Sequence, residues 1–185
     1  VRDDVLETAR QAVAQELTVP FQRPRALRAD LNLHPHQQAG IHWMQNCRRI
    51  GDRAGVLLAD DMGLGKTLQI LGFLAWAIET KSMPDVSSDR PPYRPILIVV
   101  PLILLENNTW EQEMESYFEG QGAIFLPVLK LHGKTIDRIR VQNSGKETDI
   151  GRPVLDLDEI QRHRVVLTNY ETVRNYQHSF AYMRN

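Results

Sequence analysis

The stretch Leu57-Leu58-Ala59-Asp60-Asp61-Met62-Gly63-Leu64-Gly65-Lys66-Thr67-Leu68 constrains this chain more than any other, because it sets two glycines and a lysine between two apolar runs. Val56 to Ala59 predicts a buried strand, and Lys66 to Ile78 predicts a buried helix. Glycine lets the backbone curl closely around an anion. The first amides of a helix point outward unpaired, backed by about half a positive charge from the aligned peptide dipoles. Phosphate is the anion such a turn suits. Asp61, Met62, Gly63, Leu64, Gly65, Lys66, Thr67 and Leu68 are therefore the candidate phosphate cradle. Lys66 is placed to neutralise the β and γ phosphates, and the Thr67 hydroxyl to hold a Mg²⁺ bridging the same oxygens, which makes these two the candidate catalytic residues.

The general pattern G-x-x-x-x-G-K-[ST] asks for glycine at position 60, where this chain has Asp60. A bare G-K-[ST] triplet also arises by accident in roughly one chain in ten of this length. Context raises its weight: an apolar run before it, a long apolar helix after it, and the second glycine at 63.

The rest of the chain alternates in the same sense. Asp3 to Leu17 has helical periodicity and ends at Pro20 and Pro24, giving a leading helix and linker over residues 1–30. A second helix is expected from Pro35, with Ile41, Met44 and Cys47 on one face. Residues 81–95 hold four prolines and three serines and read as an exposed, mobile loop. Ile96 to Val100 is a continuous apolar run of the kind expected for a central parallel strand, and helical patterning returns over Asn108 to Phe118. Phe125 to Leu131 and Arg164 to Leu167 read as further strands, with a polar insertion at about 141–160 between them. Repeated β and α segments imply an α/β domain around a mostly parallel sheet.

Composition excludes more than it assigns. The formal net charge is -1, from 22 Lys+Arg against 23 Asp+Glu, so any affinity for nucleic acid has to come from a local patch. The single cysteine, Cys47, makes no internal disulfide, and no Cys/His cluster has zinc spacing, which suits a reducing intracellular compartment. The longest apolar runs fall far short of the roughly 20 residues that span a bilayer, so no membrane partner is expected. A start at Val1 with no signal-like segment suggests a piece of a longer protein.

The string LADDMGLGKTLQ resembles the nucleotide-binding motif of the Swi/Snf-type ATPases of helicase superfamily two, where an acidic pair commonly precedes MGLGKT. Upstream, LHPHQQAGIHWM is similar to that family's glutamine motif at Gln37, Gly40 and Trp43, with His34 and His36 where arginine and an aromatic are usual. Downstream, Pro101, Trp110 and Glu113 match a third motif, and Thr168, Tyr170 and Glu171 a fourth. The four stand in family order from Leu33 to Asn175, about three quarters of the chain. The resemblance implies the N-terminal lobe of a RecA-like three-layer phosphate-loop domain over residues 31–185. It implies ATP with Mg²⁺ as cofactors, Gln37 at the adenine edge, and Trp110 and Thr168 as candidate DNA contacts. It also implies double-stranded DNA or chromatin as partner of the full-length parent, a second RecA-like lobe in the same chain, work in chromatin remodelling or DNA repair, and a nuclear location.

Hydrolysis needs an acidic residue for Mg²⁺ and water, and usually an arginine for the transition state. In the resembled family the acid comes from an Asp-Glu-x-His type motif after the fourth motif. No Asp-Glu pair follows Glu171 here, and Asp158-Glu159 precedes Tyr170. The chain is therefore expected to bind nucleotide without turning it over. Two other classes share parts of this pattern. A different phosphate-loop ATPase or kinase would keep Lys66 and Thr67 without needing Gln37, and a non-catalytic interaction domain would keep the fold without needing the intact loop.

Overall fold

A computed structural model of the chain describes residues 19–50, 55–82, 92–141, 147 and 151–182; the helix expected over Asp3–Leu17 lies outside them. The chain divides into two compact units, Val1–Ser82 and Met83–Asn185.

In the first unit, helix α1 (Pro35–Ile50) packs against helix α2 (Lys66–Glu79). Proline suits the first turn of α1 because its missing N–H is one the helix would leave unpaired anyway. Gln37, Ile41, Met44 and Gln45 then recur at i, i+4, i+7 and i+8 and form the buried stripe. Helix α2 is apolar nearly all round and buries Leu68, Leu71, Leu74, Ala75, Trp76, Ala77 and Ile78. Each fully buried leucine or isoleucine of this seam contributes about 1.5–3 kcal/mol. Two glycines let the helices close. A Cβ at Gly72 would lie 2.8 Å from Ile41 Cδ1, and one at Gly40 would lie 1.9 Å from Gln69 Oε1. The segment before α1 is tied down by polar groups: the Glu79 carboxylate accepts from the backbone amides of Arg25 and Ala26 at 2.9 and 2.6 Å, and Trp76 Nε1 donates to Gln22 Oε1 at 2.7 Å. Cys47 is buried and in no disulfide.

The run Val56–Ala59 forms no strand. Leu57 is 81% exposed, and the residues from Gly55 to Asp60 make no ladder among the described residues. An apolar run becomes a strand only where a neighbour pairs its amides and carbonyls, and none is paired with it here.

The second unit is a three-stranded parallel sheet in the order β1-β3-β2, from Ile96–Val100 (β1), Val128–Leu131 (β2) and Val165–Asn169 (β3). The central strand is β3, with all five residues buried. Among the described residues of this unit β1 pairs only with β3 and leaves Leu97 40% exposed, so within this sheet Ile96–Val100 is an edge strand and not the central one expected. A strand flanked on both sides and both faces has no exit for a polar side chain, which Val165, Val166 and Leu167 satisfy. The strand expected from Phe125 begins at Val128, after a 3-10 turn over Ala123–Phe125 that buries Phe125 edge-on to Phe118 with ring centroids 4.9 Å apart.

After β1 come α3 (Leu102–Glu106) and α4 (Thr109–Tyr117), and after β2 comes α5 (Lys134–Ile139). Helices α6 (Leu157–Ile160), α7 (Tyr170–Asn175) and α8 (Gln177–Tyr182) complete the described unit. Lys130 on β2 holds the α3–α4 corner, donating to the Leu105 carbonyl at 2.8 Å and pairing with Glu111 at 2.7 Å. One core joins Leu129, Leu131, Ile139, Leu155, Ile160, Val166 and Phe180, so residues from the polar 141–160 region enter it.

Beside that core lies a buried carboxylate. Glu147, 1% exposed, accepts from Ser179 N at 2.8 Å and Ser179 Oγ at 2.6 Å, and the Ser179 hydroxyl in turn accepts from Val154 N and Leu155 N at 3.1 and 3.2 Å. Replacing Glu147 by alanine strands the Ser179 amide and hydroxyl, and leaving buried donors unpaired costs about 1–3 kcal/mol each. Glu147→Ala is therefore expected to lower unfolding stability by about 3 kcal/mol, read by urea denaturation.

On α4, burial pushes the partly buried Glu113 carboxyl above its ordinary value. A carboxyl raised in the fold is easier to ionise in the unfolded chain, so its cost is absent well below the ordinary value and complete above the raised one. Glu113→Gln should raise the thermal midpoint at pH 7, and the gain should shrink on acidification and vanish by about pH 3.

Candidate functional site

The loop between Asp60 and Lys66 is shaped by its glycines. Gly63 and Gly65 have φ of +83° and +73°, the left-handed region that side chains with a Cβ avoid. Gly65 is the residue from which α2 starts. No side chain caps that end, and no acidic residue stands in its first turn. The first amides of α2 therefore face outward with the positive end of the helix dipole behind them, the arrangement that accepts a phosphate oxygen.

Lys66 folds over this turn. Its ammonium donates to the Asp60 and Asp61 carbonyls, both at 2.7 Å. Both acidic side chains are exposed, so the acidic pair contributes its backbone to the lysine. Thr67 follows in the first turn, partly buried, with no hydrogen-bond partner for its hydroxyl among the described residues. Met62, at the tip, is 96% exposed, and Leu64 is 38% exposed. Leu68 is buried against the helix pair and serves the core.

Helix α1 brings a second set of groups to the same turn. Gln37 is 8% exposed; its Oε1 accepts from His34 N at 3.0 Å, and its Nε2 lies 2.5 Å from where a Cβ on Gly65 would stand. His36 Nε2 donates to the Leu64 carbonyl at 3.1 Å and its ring stacks on His34, centroids 5.6 Å apart. The two histidines that stand where the family has other residues thus hold positions beside the loop. Trp43, with His36, Gly40 and Leu57 to Asp60, lines an open groove next to it.

Gln37 and the residues from Asp61 to Leu68 are thus gathered at one end of the α1–α2 pair. The two candidate DNA contacts belong to the second unit and are turned inward. Trp110 is 8% exposed, and Thr168 is wholly buried with its hydroxyl donating to the Leu131 carbonyl at 2.8 Å. Both are buried within the second unit. Sequence reading missed two polar groups. Asn169 caps α7 by accepting from Thr172 N at 2.8 Å, which its place just before a helical run signals. Gln69, one turn into α2, donates to Asp60 Oδ2 at 3.2 Å and to the Leu64 carbonyl at 3.3 Å, a pairing that no spacing rule marks.

A glycine turn opening an apolar helix, in a chain whose sheet is wholly parallel, defines the class of α/β proteins built on a phosphate-loop sequence. Within that class the chain belongs to the SNF2-related domain family, whose pattern it matches over residues 36–184. It is therefore the N-terminal, RecA-like part of a Swi/Snf-type superfamily-two ATPase, present as a partial α/β domain. It is 38% identical over 85% of its length to the Zorya protein ZorD of Escherichia coli O139:H28, covering 14% of that protein. It is 33% identical over 78% of its length to a DNA repair and recombination protein RAD54-like of Drosophila ananassae, covering 16% of it. It is 32% identical over 90% of its length to the TATA-binding protein-associated factor mot1 of Aspergillus fumigatus, covering 8% of it. The chain thus spans less than a fifth of each of these relatives.

Substituting Gly65 isolates the local demand of the loop. A Cβ there meets Gln37 Nε2 and also forces a left-handed alanine, a backbone cost of about 1–2 kcal/mol. Gly65→Ala should lower the thermal midpoint of the chain, and Gly55→Ala, whose Cβ meets nothing within 4 Å, should not.

Proposed function

We propose that residues 31–185 form the nucleotide-binding part of the first lobe of a DNA-dependent ATPase, and that this chain binds ATP or ADP without hydrolysing it. The observation that carries the reading is the convergence at one uncapped helix start of a left-handed glycine turn, the Lys66 ammonium and the Gln37 amide. In this reading Lys66 exchanges the Asp60 and Asp61 carbonyls for the β and γ phosphates, trading two neutral acceptors for charged ones, which make the stronger hydrogen bonds. The amides from Gly63 to Thr67 surround the phosphates, Gln37 meets the adenine edge, and the Thr67 hydroxyl is the protein ligand for Mg²⁺. Bound ATP supplies the transferable phosphoryl group; the side chains named here hold and orient it.

The larger activity belongs to the longer protein this reading supposes, with a second RecA-like lobe that supplies the transition-state arginine and closes on the nucleotide. Double-stranded DNA or chromatin is the proposed track, supported by the fly relative's name as a DNA repair and recombination protein. The fly and fungal relatives favour a nuclear setting, whereas the Escherichia coli relative works in a cell without a nucleus, so the compartment follows the lineage. Residues 1–30 are proposed as the leading helix and linker of the lobe, with 81–95 as a loop and about 141–160 as an insertion.

Titration with a fluorescent ADP should show saturable binding by the chain, weakened at least tenfold in Lys66→Ala, with no phosphate released from ATP by either. Absence of binding, or phosphate release that depends on Lys66, overturns the reading. In the longer protein, hydrolysis should rise on adding double-stranded DNA. Lys66-dependent hydrolysis indifferent to DNA points instead to another phosphate-loop enzyme, and no hydrolysis at all to an interaction domain.

A further inference from the structure

Gln69 is wholly buried, yet half of its amide has no partner: Oε1 makes no hydrogen bond, and it lies where a Cβ on Gly40 would be, 1.9 Å away. A leucine or methionine would fill the same volume in this apolar helix without stranding an acceptor. The other half of the amide is where the glutamine differs from them. Nε2 reaches Asp60 Oδ2 at 3.2 Å and the Leu64 carbonyl at 3.3 Å, so one NH₂ group ties the two ends of the turn from Asp60 to Leu64. The same turn is held by Lys66 at the Asp60 carbonyl and by His36 at the Leu64 carbonyl, 2.7 and 3.1 Å away, so each of its ends has two side-chain braces. Lys66 is the brace that must leave for a phosphate. Gln69 and His36 can stay.

We propose that Gln69 is a positioning residue: it holds Asp60 and Leu64 at a fixed separation while Lys66 changes partners, keeping the turn open to phosphate without touching the nucleotide. Gly40 is the other half of the device, since only a residue without a side chain leaves room for the stranded oxygen. The inference rests on the nucleotide-binding reading of the loop.

Two measurements on the 185-residue chain, thermal midpoint and fluorescent ADP affinity, separate this role from plain packing. Gln69→Met keeps the volume and removes the unpaired acceptor. It should hold or raise the thermal midpoint while weakening ADP binding about tenfold, as loss of two hydrogen bonds to the loop would. Gln69→Glu places a second carboxylate against Asp60 and an acceptor against the Leu64 carbonyl and should weaken binding at least as much, and adding Asp60→Asn, which restores the tie at residue 60 in reversed order but not the one at Leu64, should recover part of it. If Gln69→Met binds ADP like the wild type, or loses midpoint and affinity together, or if the double variant is no better than Gln69→Glu, the positioning role is wrong. If the wild-type chain fails to bind ADP, the site reading falls and takes this inference with it, an outcome readily told from the others.

Discussion

The approach of α1 to α2 is the contact on which the first unit depends. Gly40 and Gly72 sit on opposite helices, and each is filled by a side chain of the other, Gln69 over Gly40 and Ile41 over Gly72. Interiors are packed as densely as organic crystals, so a methyl group at either point separates the helices instead of being absorbed. The separation is felt at the loop, because α1 carries Gln37 and His36 and α2 begins at Gly65. Packing and site are therefore one problem in this unit. The helix spacing that buries Leu71 and Ile41 also sets the Gln37 amide against the glycine turn.

The second unit is organised around β3 in a comparable way. Its five buried residues take hydrogen bonds from strands on both sides, and its end delivers Asn169 as the cap of α7. Several polar groups in this unit anchor loops. Lys130 fixes the α3–α4 corner, Glu147 ties α8 to the segment at 154–155, and Arg164 lies over the Tyr93 ring at 5.2 Å while donating to the Ile124 carbonyl. Each secures a turn that short helices with few apolar residues could not hold alone.

Much of this was legible in the residues. Pro35 marked the start of α1, apolar periodicity marked α2, and β-branched runs marked β1 and β3, so the parallel α/β class followed. The phosphate-loop sequence and the order of the four motifs led to the family. What the residues could not carry was pairing. Ile96–Val100 and Val165–Asn169 have similar composition, and only the sheet decides that β3 has two neighbours and β1 one. The run at Val56–Ala59 has the letters of a strand and no ladder. Burial was hidden in the same way: Trp110 and Thr168 matched motif positions, and their inward orientation depends on partners far along the chain. Gln69 closes the motif string LADDMGLGKTLQ, but its contact with Asp60 is visible only in the fold.

The glycine pair also shapes how such a chain can vary over generations. Polar and apolar replacements at Gly40 or Gly72 are excluded alike, since every one of the other amino acids brings at least one carbon into filled space. Selection there acts on volume and is blind to chemistry. At Leu57, 81% exposed, no such packing demand acts. Any chain that keeps this helix spacing keeps glycine at both positions, whatever it carries at position 57.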